Sequence, residues 1–327
     1  MSDVVTVLHA TRRHIPAAES LVKSGYVAYR TRAIFFLALL AVLMPAAAAQ
    51  TPEDLVLTAA DGWPVHVSYF GAKRGKGNKE SPIVILLTAA NGDKAGVTRR
   101  VWKDLAAHLQ SKRFAVLSVD LRKHGDSLSD DDSNRVKTSD YKNMVLYDME
   151  AVKAFLLERH QEEQLNIRKL GIVTSGSSAM VAAAFAMNDW MKPPYPDAPT
   201  LEDRTPRGQD IRTIVMISPR RTKGINPSPI MKPLADPRMG IAIRIYHSSR
   251  ESDTTEQKFA SQLYRMVKLK GDEYQDLRSI EAEPASAEGF LHGRVAAGFQ
   301  AELTEFLQEN LDDLVSPWTT RISKIDR

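Results

Sequence analysis

The chain has 327 residues, of which 43% are hydrophobic and 26% charged, and its formal net charge is +4. This composition is ordinary for a folded globular protein, and the net charge is too small to indicate nucleic-acid binding. The chain contains no cysteine, which excludes a disulfide scaffold, a thiolate metal site and a cysteine nucleophile. The eight histidines show no clustered ligand spacing such as H-x-x-x-H. We therefore predict neither a metal nor a cofactor.

An N-terminal leader is the first predicted element. Arg30 and Arg32 precede an unbroken apolar run at 33–44, which is too short to span a bilayer comfortably, and an alanine-rich stretch ends at Ala49. A basic flank, a short apolar run and small residues together are typical of a secretory signal peptide. We predict a leader over 1–49 and export of a single domain, 50–327, to the periplasm or the medium. An uncleaved membrane anchor is the alternative.

Strands and helices are then predicted to alternate along the exported part. Two alternating runs at 55–60 and 65–70 flank Asp61-Gly62, which is a strong signal for an antiparallel hairpin. Apolar runs predict further strands at 82–87, 114–119, 169–173, 211–217 and 241–246, and helical spacing predicts helices at 101–110, 140–159, 178–187, 256–269 and 299–311. This order favours an α/β fold, with a mostly parallel sheet, helices on both faces and the hairpin at one edge.

A motif follows the predicted strand at 114–119. Residues 120–127 read DLRKHGDS, which resembles the loop that α/β-hydrolases write as D-x-R-G-H-G-x-S, with Lys123 in place of a glycine. The segment 82–92 resembles the preceding strand of that family and its oxyanion turn, which implies an oxyanion N–H at Ala89. The resemblance covers the chain from about residue 55 to the C-terminus and implies the α/β-hydrolase fold. In that family the histidine at position 124 has a structural role.

The resemblance also implies where a nucleophile belongs. Members of the family place a serine at a strained turn between a strand and a helix, in the pattern G-x-S-x-G. Alignment of LGIVTSGSSAMVA at 170–182 puts Gly176 at that position, where glycine adopts the strained backbone at little cost but offers no hydroxyl. A shift of one residue makes Ser177 the nucleophile instead. Ser175 and Ser178 fit neither alignment and are predicted to be turn and N-cap residues.

The remaining triad positions follow in the family's order of nucleophile, acid and histidine. Asp253 and Glu251 are the acid candidates after the strand at 241–246, and His292 is the candidate base before the last helix. The backbone N–H of Ser177 begins a helix, where negative charge is favoured. A carboxylate or an ester carbonyl is therefore expected to bind there even without a nucleophile.

Two functions remain open at this point. The first is a non-catalytic exported protein that binds a small molecule or a partner, which Gly176 favours. The second is an active serine hydrolase of the esterase or peptidase type, which uses Ser177, Asp253 or Glu251, and His292. The proline-rich segment 190–208 is predicted to be a surface loop, with a lid over the site as the alternative.

Overall fold

The computed structural model describes residues 51–73, 78–88, 98–128, 135–249, 254–268, 275–280 and 287–326. The predicted leader at 1–49 lies outside these ranges, as do three predicted site residues: Ala89, Glu251 and Asp253.

An eight-stranded sheet forms the centre of the described structure, in the order β1-β2-β4-β3-β5-β6-β7-β8. The first two strands are antiparallel to each other, and β2 is also antiparallel to β4, whereas all the later pairs are parallel. The strands are β1 (Glu53–Thr58), β2 (Pro64–Phe70), β3 (Ile83–Leu87), β4 (Ala115–Asp120), β5 (Leu170–Ser175), β6 (Ile211–Ile217), β7 (Ala242–Ser248) and β8 (Gln275–Ile280). The mostly parallel sheet with an antiparallel hairpin at its edge is thus confirmed.

The hairpin turns where the Asp-Gly signal predicted it. Gly62 has a φ of +84°, a backbone conformation that glycine adopts without steric cost, and Ala59 N–H donates to the Trp63 carbonyl at 2.9 Å. The turn places Leu55 of β1 opposite Val67 of β2, which is fully buried.

Helices cover both faces of the sheet, which explains why the central strands are apolar throughout. One face packs against α1 and α8, and the other against α2 to α6. The helices are α1 (Lys103–Ser111), α2 (Thr138–Asn143), α3 (Met149–Gln161), α4 (Ser178–Met191), α5 (Ser228–Leu234), α6 (Thr254–Val267), α7 (Ala287–Leu291) and α8 (Ala296–Leu307). All five residues of β3 are buried, as expected for a parallel strand covered on both sides.

Four elements differ from the sequence expectation, one of them being the short helix α7, which was not predicted. Strand β8 was not predicted, because its sequence QDLRSI is mostly polar and only Gln275 is buried at this edge of the sheet. The predicted helix at 140–159 is instead divided into α2 and α3 by a π-helical turn, Met144–Asp148. Helix α5 was also missed, because prolines at its start and interior hide the helical pattern.

Candidate functional site

The turn between β5 and α4 is the candidate site, and residues 175–178 are called the corner below. Gly176 has a φ of +54°, in the left-handed region where a side chain is strained. Its N–H donates to the Ile217 carbonyl at 3.0 Å, and its own carbonyl accepts from Arg220 N–H at 2.9 Å. The last residue of β6 and the loop that follows it therefore hold Gly176 through both its N–H and its carbonyl. The chain reverses direction at this residue.

The two serines after Gly176 already belong to the helix. Ser177 is the N-cap residue of α4, with helical φ and ψ of −71° and −22°, and it is 4% exposed. Its carbonyl accepts a hydrogen bond from the Thr222 hydroxyl at 2.6 Å. Ser178 donates from its hydroxyl to the Thr88 carbonyl at 2.6 Å, which ties α4 to the end of β3. The expectation that Ser178 is the N-cap is therefore wrong, since the cap falls one residue earlier.

The candidate base, His292, lies just beyond α7. Its side chain is exposed, and its backbone is extended, with φ and ψ of −125° and 165°. Gly293 follows with a φ of +71°, so the chain turns sharply after the histidine. Helix α7 packs against the short 3₁₀ helix Arg99–Trp102, which precedes α1. Since both acid candidates lie outside the described residues, a complete triad stays a prediction. The oxyanion candidate Ala89 also lies outside them, so its role stays a prediction too.

The motif at 120–127 forms a tightly bonded loop after β4, which β3 separates from β5 and the corner. The buried Asp120 carboxylate accepts from Arg99 N–H at 2.6 Å, from Arg99 Nη1 at 2.8 Å and from Asp126 N–H at 3.2 Å. Gly125 has a φ of +51°, and a Cβ at this position would collide with the Asp120 carboxylate. Burial raises the pKa of Asp120, and its bonds to Arg99 oppose this shift.

Arg122 of the same motif joins three elements. Its guanidinium donates to Asp148 Oδ1 at 2.6 Å and to Asp61 Oδ2 at 2.7 Å, and it lies 5.4 Å from the centre of the Trp63 ring. The hydrogen bond from Arg122 lowers the pKa of Asp61. The arginine thus connects the hairpin turn and the π-helical turn to the loop after β4, which is a structural role.

His124 and Lys123 are both buried within this loop. His124 Nδ1 lies 2.8 Å from the Arg122 carbonyl oxygen, and complete burial lowers the pKa of the imidazole. This bonding within the loop agrees with the structural role expected for His124. Lys123, which replaces the family's glycine, has a φ of +63° and forms an ion pair with Asp140 at 3.0 Å. The lysine therefore keeps the backbone conformation that favours glycine, and Asp140 neutralises its charge.

The proline-rich segment lies at the opposite end of the sheet. Helix α4 runs from the corner to the edge of the sheet where the parallel strands begin, which is called the amino edge below. The part of the proline-rich segment that follows α4, residues 192–208, therefore lies at the amino edge. Arg321 of the C-terminal segment donates to the carbonyls of Pro206 and Gly208 at 2.9 and 3.2 Å. This loop therefore packs against the C-terminus and does not cover the corner.

Four buried charges lie beneath that loop and are called the amino-edge cluster. They are Lys153, Asp189, Asp210 and Arg321. Lys153 Nζ lies 2.5 Å from Asp189 Oδ1 and 2.8 Å from Asp210 Oδ2, and Arg321 forms an ion pair with Asp210. Burial lowers the pKa of Lys153 and lowers that of Arg321 to about 10. The cluster was not predicted, because its members are far apart in sequence.

Two cavities also lie at the amino edge. One, of about 320 Å³, is lined by residues that include Tyr69, Gln110 and Arg159. The other, of about 240 Å³, lies within the proline-rich loop. Neither is lined by a corner residue or by His292.

The described residues contain neither a candidate metal site nor a candidate membrane-spanning helix. No group of three or more His, Asp or Glu residues there is placed to hold a metal ion. No helix there is both long and apolar enough to cross a membrane.

Comparisons with known proteins bear on the fold. No protein-family model matches the chain, and no match was found among curated proteins. Among solved structures, esterase 2 of Thermogutta terrifontis, phosphoramylated by tabun, matches with a TM-score of 0.57 and 13% identity, over 84% of this chain and 100% of the esterase. The same enzyme phosphorylated by paraoxon matches with a TM-score of 0.55 and 16% identity, over 82% and 97% of the two chains.

This chain has the α/β-hydrolase fold. The Pyrococcus furiosus esterase Pf2001 also matches, with a TM-score of 0.50 and 14% identity, over 80% of this chain and 93% of the esterase. The strand order and the antiparallel hairpin agree with this fold, as the motif at 120–127 implied. At such low identity the likeness concerns the fold, and function has to be argued from the site.

One residue beside the corner, Ser218, was not predicted from the sequence. Ser218 follows β6 directly, has a φ of +44° and is 1% exposed. The signal was a serine immediately after the apolar strand at 211–217, at the edge where ligands of open α/β sheets bind.

Proposed function

We propose that this protein is an exported, non-catalytic member of the α/β-hydrolase fold that binds a small molecule carrying an ester or carboxylate group beside Gly176. The observation that carries the proposal is the left-handed backbone of Gly176, at the turn between β5 and α4. The fold's nucleophile occupies such a turn because the strained backbone exposes its hydroxyl. A glycine adopts the same backbone without strain and has no side-chain oxygen to attack an acyl group.

The backbone of Ser177 supports the same assignment. A nucleophile at the tip of the turn is expected to have the strained conformation, but Ser177 has ordinary helical angles and is buried. Its hydroxyl therefore belongs to the first turn of α4 and not to the tip. Covalent acyl chemistry through Ser177 would require the tip to move by one residue.

A binding site can persist without the nucleophile. Helix α4 is 14 residues long, and its N-terminus begins at the corner. The first N–H groups of a helix lack partners within the helix and carry a partial positive charge, which favours a carboxylate or a polarised carbonyl. The Ser177 N–H and the predicted Ala89 N–H would hold such an oxygen, with His292 and Asp253 or Glu251 retained as polar neighbours.

The second candidate function is an active esterase or peptidase. Two observations favour it: the likeness to esterases in fold, and the Ser177 hydroxyl one residue beyond Gly176. In this case Ser177 would be the nucleophile, His292 the base, and Asp253 or Glu251 the acid.

A fluorophosphonate probe, which reacts with activated serines, separates the two functions. We expect no labelling of the wild-type protein and no turnover of p-nitrophenyl acetate or butyrate. Labelling that is lost in Ser177→Ala, and is retained in Ser178→Ala, would establish the active hydrolase and overturn the proposal. Ser178 is the matched control because its hydroxyl is already bonded to Thr88.

Export is proposed from the leader pattern alone. The basic flank at Arg30 and Arg32 and the apolar run at 33–44 support it. The full chain is therefore expressed in a bacterial host, and the intact mass of the exported form is measured. A measured mass equal to that of a chain beginning at Gln50 supports a cleaved leader. Full-length protein in the membrane fraction would support the anchor instead.

A further inference from the structure

Ser218 combines three properties that are costly to a fold. It is a non-glycine residue with a φ of +44°, its side chain is 1% exposed, and its hydroxyl has no hydrogen-bond partner among the residues that the structure describes. A left-handed backbone strains any residue with a Cβ, and a buried polar atom without a partner loses its hydrogen bonds to water. Strain and unsatisfied polar groups of this kind concentrate at binding sites, where a ligand uses them.

The position of Ser218 places it beside the corner. Its N–H donates to the Tyr246 carbonyl at 2.8 Å, which holds it at the carboxyl end of β6. The preceding residue, Ile217, is paired with Ser175 and accepts the hydrogen bond from Gly176 N–H. Since neighbouring strands lie about 4.8 Å apart, Ser218 lies about one strand spacing from Gly176.

The loop after Ser218 reinforces this proximity. Arg220 N–H donates to the Gly176 carbonyl at 2.9 Å, and the Thr222 hydroxyl donates to the Ser177 carbonyl at 2.6 Å. Ser218 is thus followed, within four residues, by two contacts with the corner. The segment 217–222 follows the turn closely, and Ser218 is held against it by backbone bonds on both sides.

Another residue of the same strand shows which of these properties matters. The hydroxyl of Thr213 is also buried and has no partner in the described ranges, but it lies near the amino end of β6, opposite Gly171 and Ala242. Its backbone is that of an ordinary strand residue. An unpartnered hydroxyl is therefore not sufficient to mark a site, whereas Ser218 adds a strained backbone and lies between residues, Ile217 and Arg220, that bond to Gly176.

We propose that the Ser218 hydroxyl donates a hydrogen bond to the carbonyl or carboxylate oxygen of the ligand that binds beside Gly176. This inference rests on the proposed function and adds one side chain, that of Ser218, to the proposed binding site. The ligand class is a compound with one acyl oxygen to accept the bond, such as a short carboxylate or its ester. Ser218 is a binding residue in this scheme, and no bond is made or broken.

The test uses the full chain with hexanoate and methyl hexanoate as probes, and their affinity is measured by ligand-observed NMR. We expect Ser218→Ala to weaken binding about tenfold, which corresponds to the loss of one hydrogen bond to the ligand. Thr213→Val removes an unpartnered hydroxyl at the far end of the same strand and is expected to leave the affinity unchanged. Ser218→Gly should weaken binding equally and raise the Tm, because it also relieves the strained backbone.

Each result distinguishes between the proposals. Equal binding by wild type and Ser218→Ala overturns the role of Ser218 and leaves the proposed function standing. Wild-type protein that binds neither probe overturns both. A Tm that falls by several degrees in Ser218→Ala overturns the role as well, because the hydroxyl would then have a structural partner.

Discussion

The buried charges at one end of the sheet and the buried Ser218 hydroxyl at the other end differ in whether they have partners. At the amino edge, the two acids of the cluster are paired with Lys153 and Arg321, and Asp210 N–H also donates to Asp189 at 2.9 Å. Beside the corner, the Ser218 hydroxyl has no partner within the described part of the chain, and Gly176 at the corner has no side chain. Buried charges require partners because desolvation is costly, so the amino edge is a place of structural specificity. The corner carries unused hydrogen-bonding capacity, which is what a binding site requires.

The C-terminal segment strengthens this contrast. Trp318 donates from Nε1 to the His160 carbonyl at 2.9 Å, and its ring stacks on the His160 ring with centres 4.9 Å apart. His160 Nε2 lies 2.9 Å from the Thr319 carbonyl oxygen. The chain end thus closes the amino edge through side-chain contacts, whereas none of these contacts involves the corner.

The largest expected effect is at the amino-edge cluster. Lys153→Met leaves Asp189 and Asp210 with one buried cation in place of two. We expect this variant to lower the free energy of unfolding by about 3–5 kcal/mol, because an uncompensated buried charge remains. Urea unfolding measures the change.

Lys192→Met is the matched control for that variant. Lys192 forms an ion pair with Glu150 at 2.6 Å, but both side chains are partly exposed. We expect a loss below about 1 kcal/mol, because solvent screens the pair. Equal losses for Lys153→Met and Lys192→Met would contradict the contrast between the two edges.

A smaller effect on stability is expected at the corner, together with a change in reactivity. Gly176→Ser places a side chain on a left-handed backbone and should lower the free energy of unfolding by about 1–3 kcal/mol. It also restores an oxygen at the tip of the turn, so we expect fluorophosphonate labelling that the wild type lacks.

Gly240→Ser is the matched control for Gly176→Ser, at a glycine away from the corner. Gly240 has a φ of +57°, and a Cβ there would meet no atom within 4 Å. We expect a similar loss of stability without labelling. Gly176→Ser that is less stable and still unlabelled would argue that the retained His292 does not serve as a base.

The smallest expected effect is a dependence of stability on pH. Burial lowers the pKa of His124 and of His160 below the ordinary value of about 6.5, so the fold favours both neutral imidazoles. Below about pH 6.5 the unfolded chain binds protons that the folded chain does not, so the free energy of unfolding falls as the pH drops towards 5. Urea unfolding between pH 7.5 and 5 measures the slope.

His160→Gln isolates one of the two contributions to that slope. The variant removes a titrating group and is expected to make the fall between pH 7.5 and 5 shallower. An unchanged slope in His160→Gln would show that the acid sensitivity comes from other groups.

Local patterns along the chain account for much of the fold. The Asp-Gly turn, the apolar run at 82–87 and the motif at 120–127 each predicted the element that the structure contains. These features depend on residues close in sequence, where alternation and turn preferences act directly. Strand β8 escaped prediction because it lies at the sheet's edge and buries little, so its sequence did not need an apolar pattern.

The sequence by itself determined the fold class, and it predicts that Gly176 stands where this fold carries its nucleophile. It could do so because alternation, strand length and the motif order are local properties of the chain. Only the tertiary structure showed that the residues flanking Ser218 bond to Gly176 and that four charges from distant segments meet at the amino edge. Such contacts arise when strands pair and helices pack, since whether a buried hydroxyl or charge has a partner depends on residues far away in sequence.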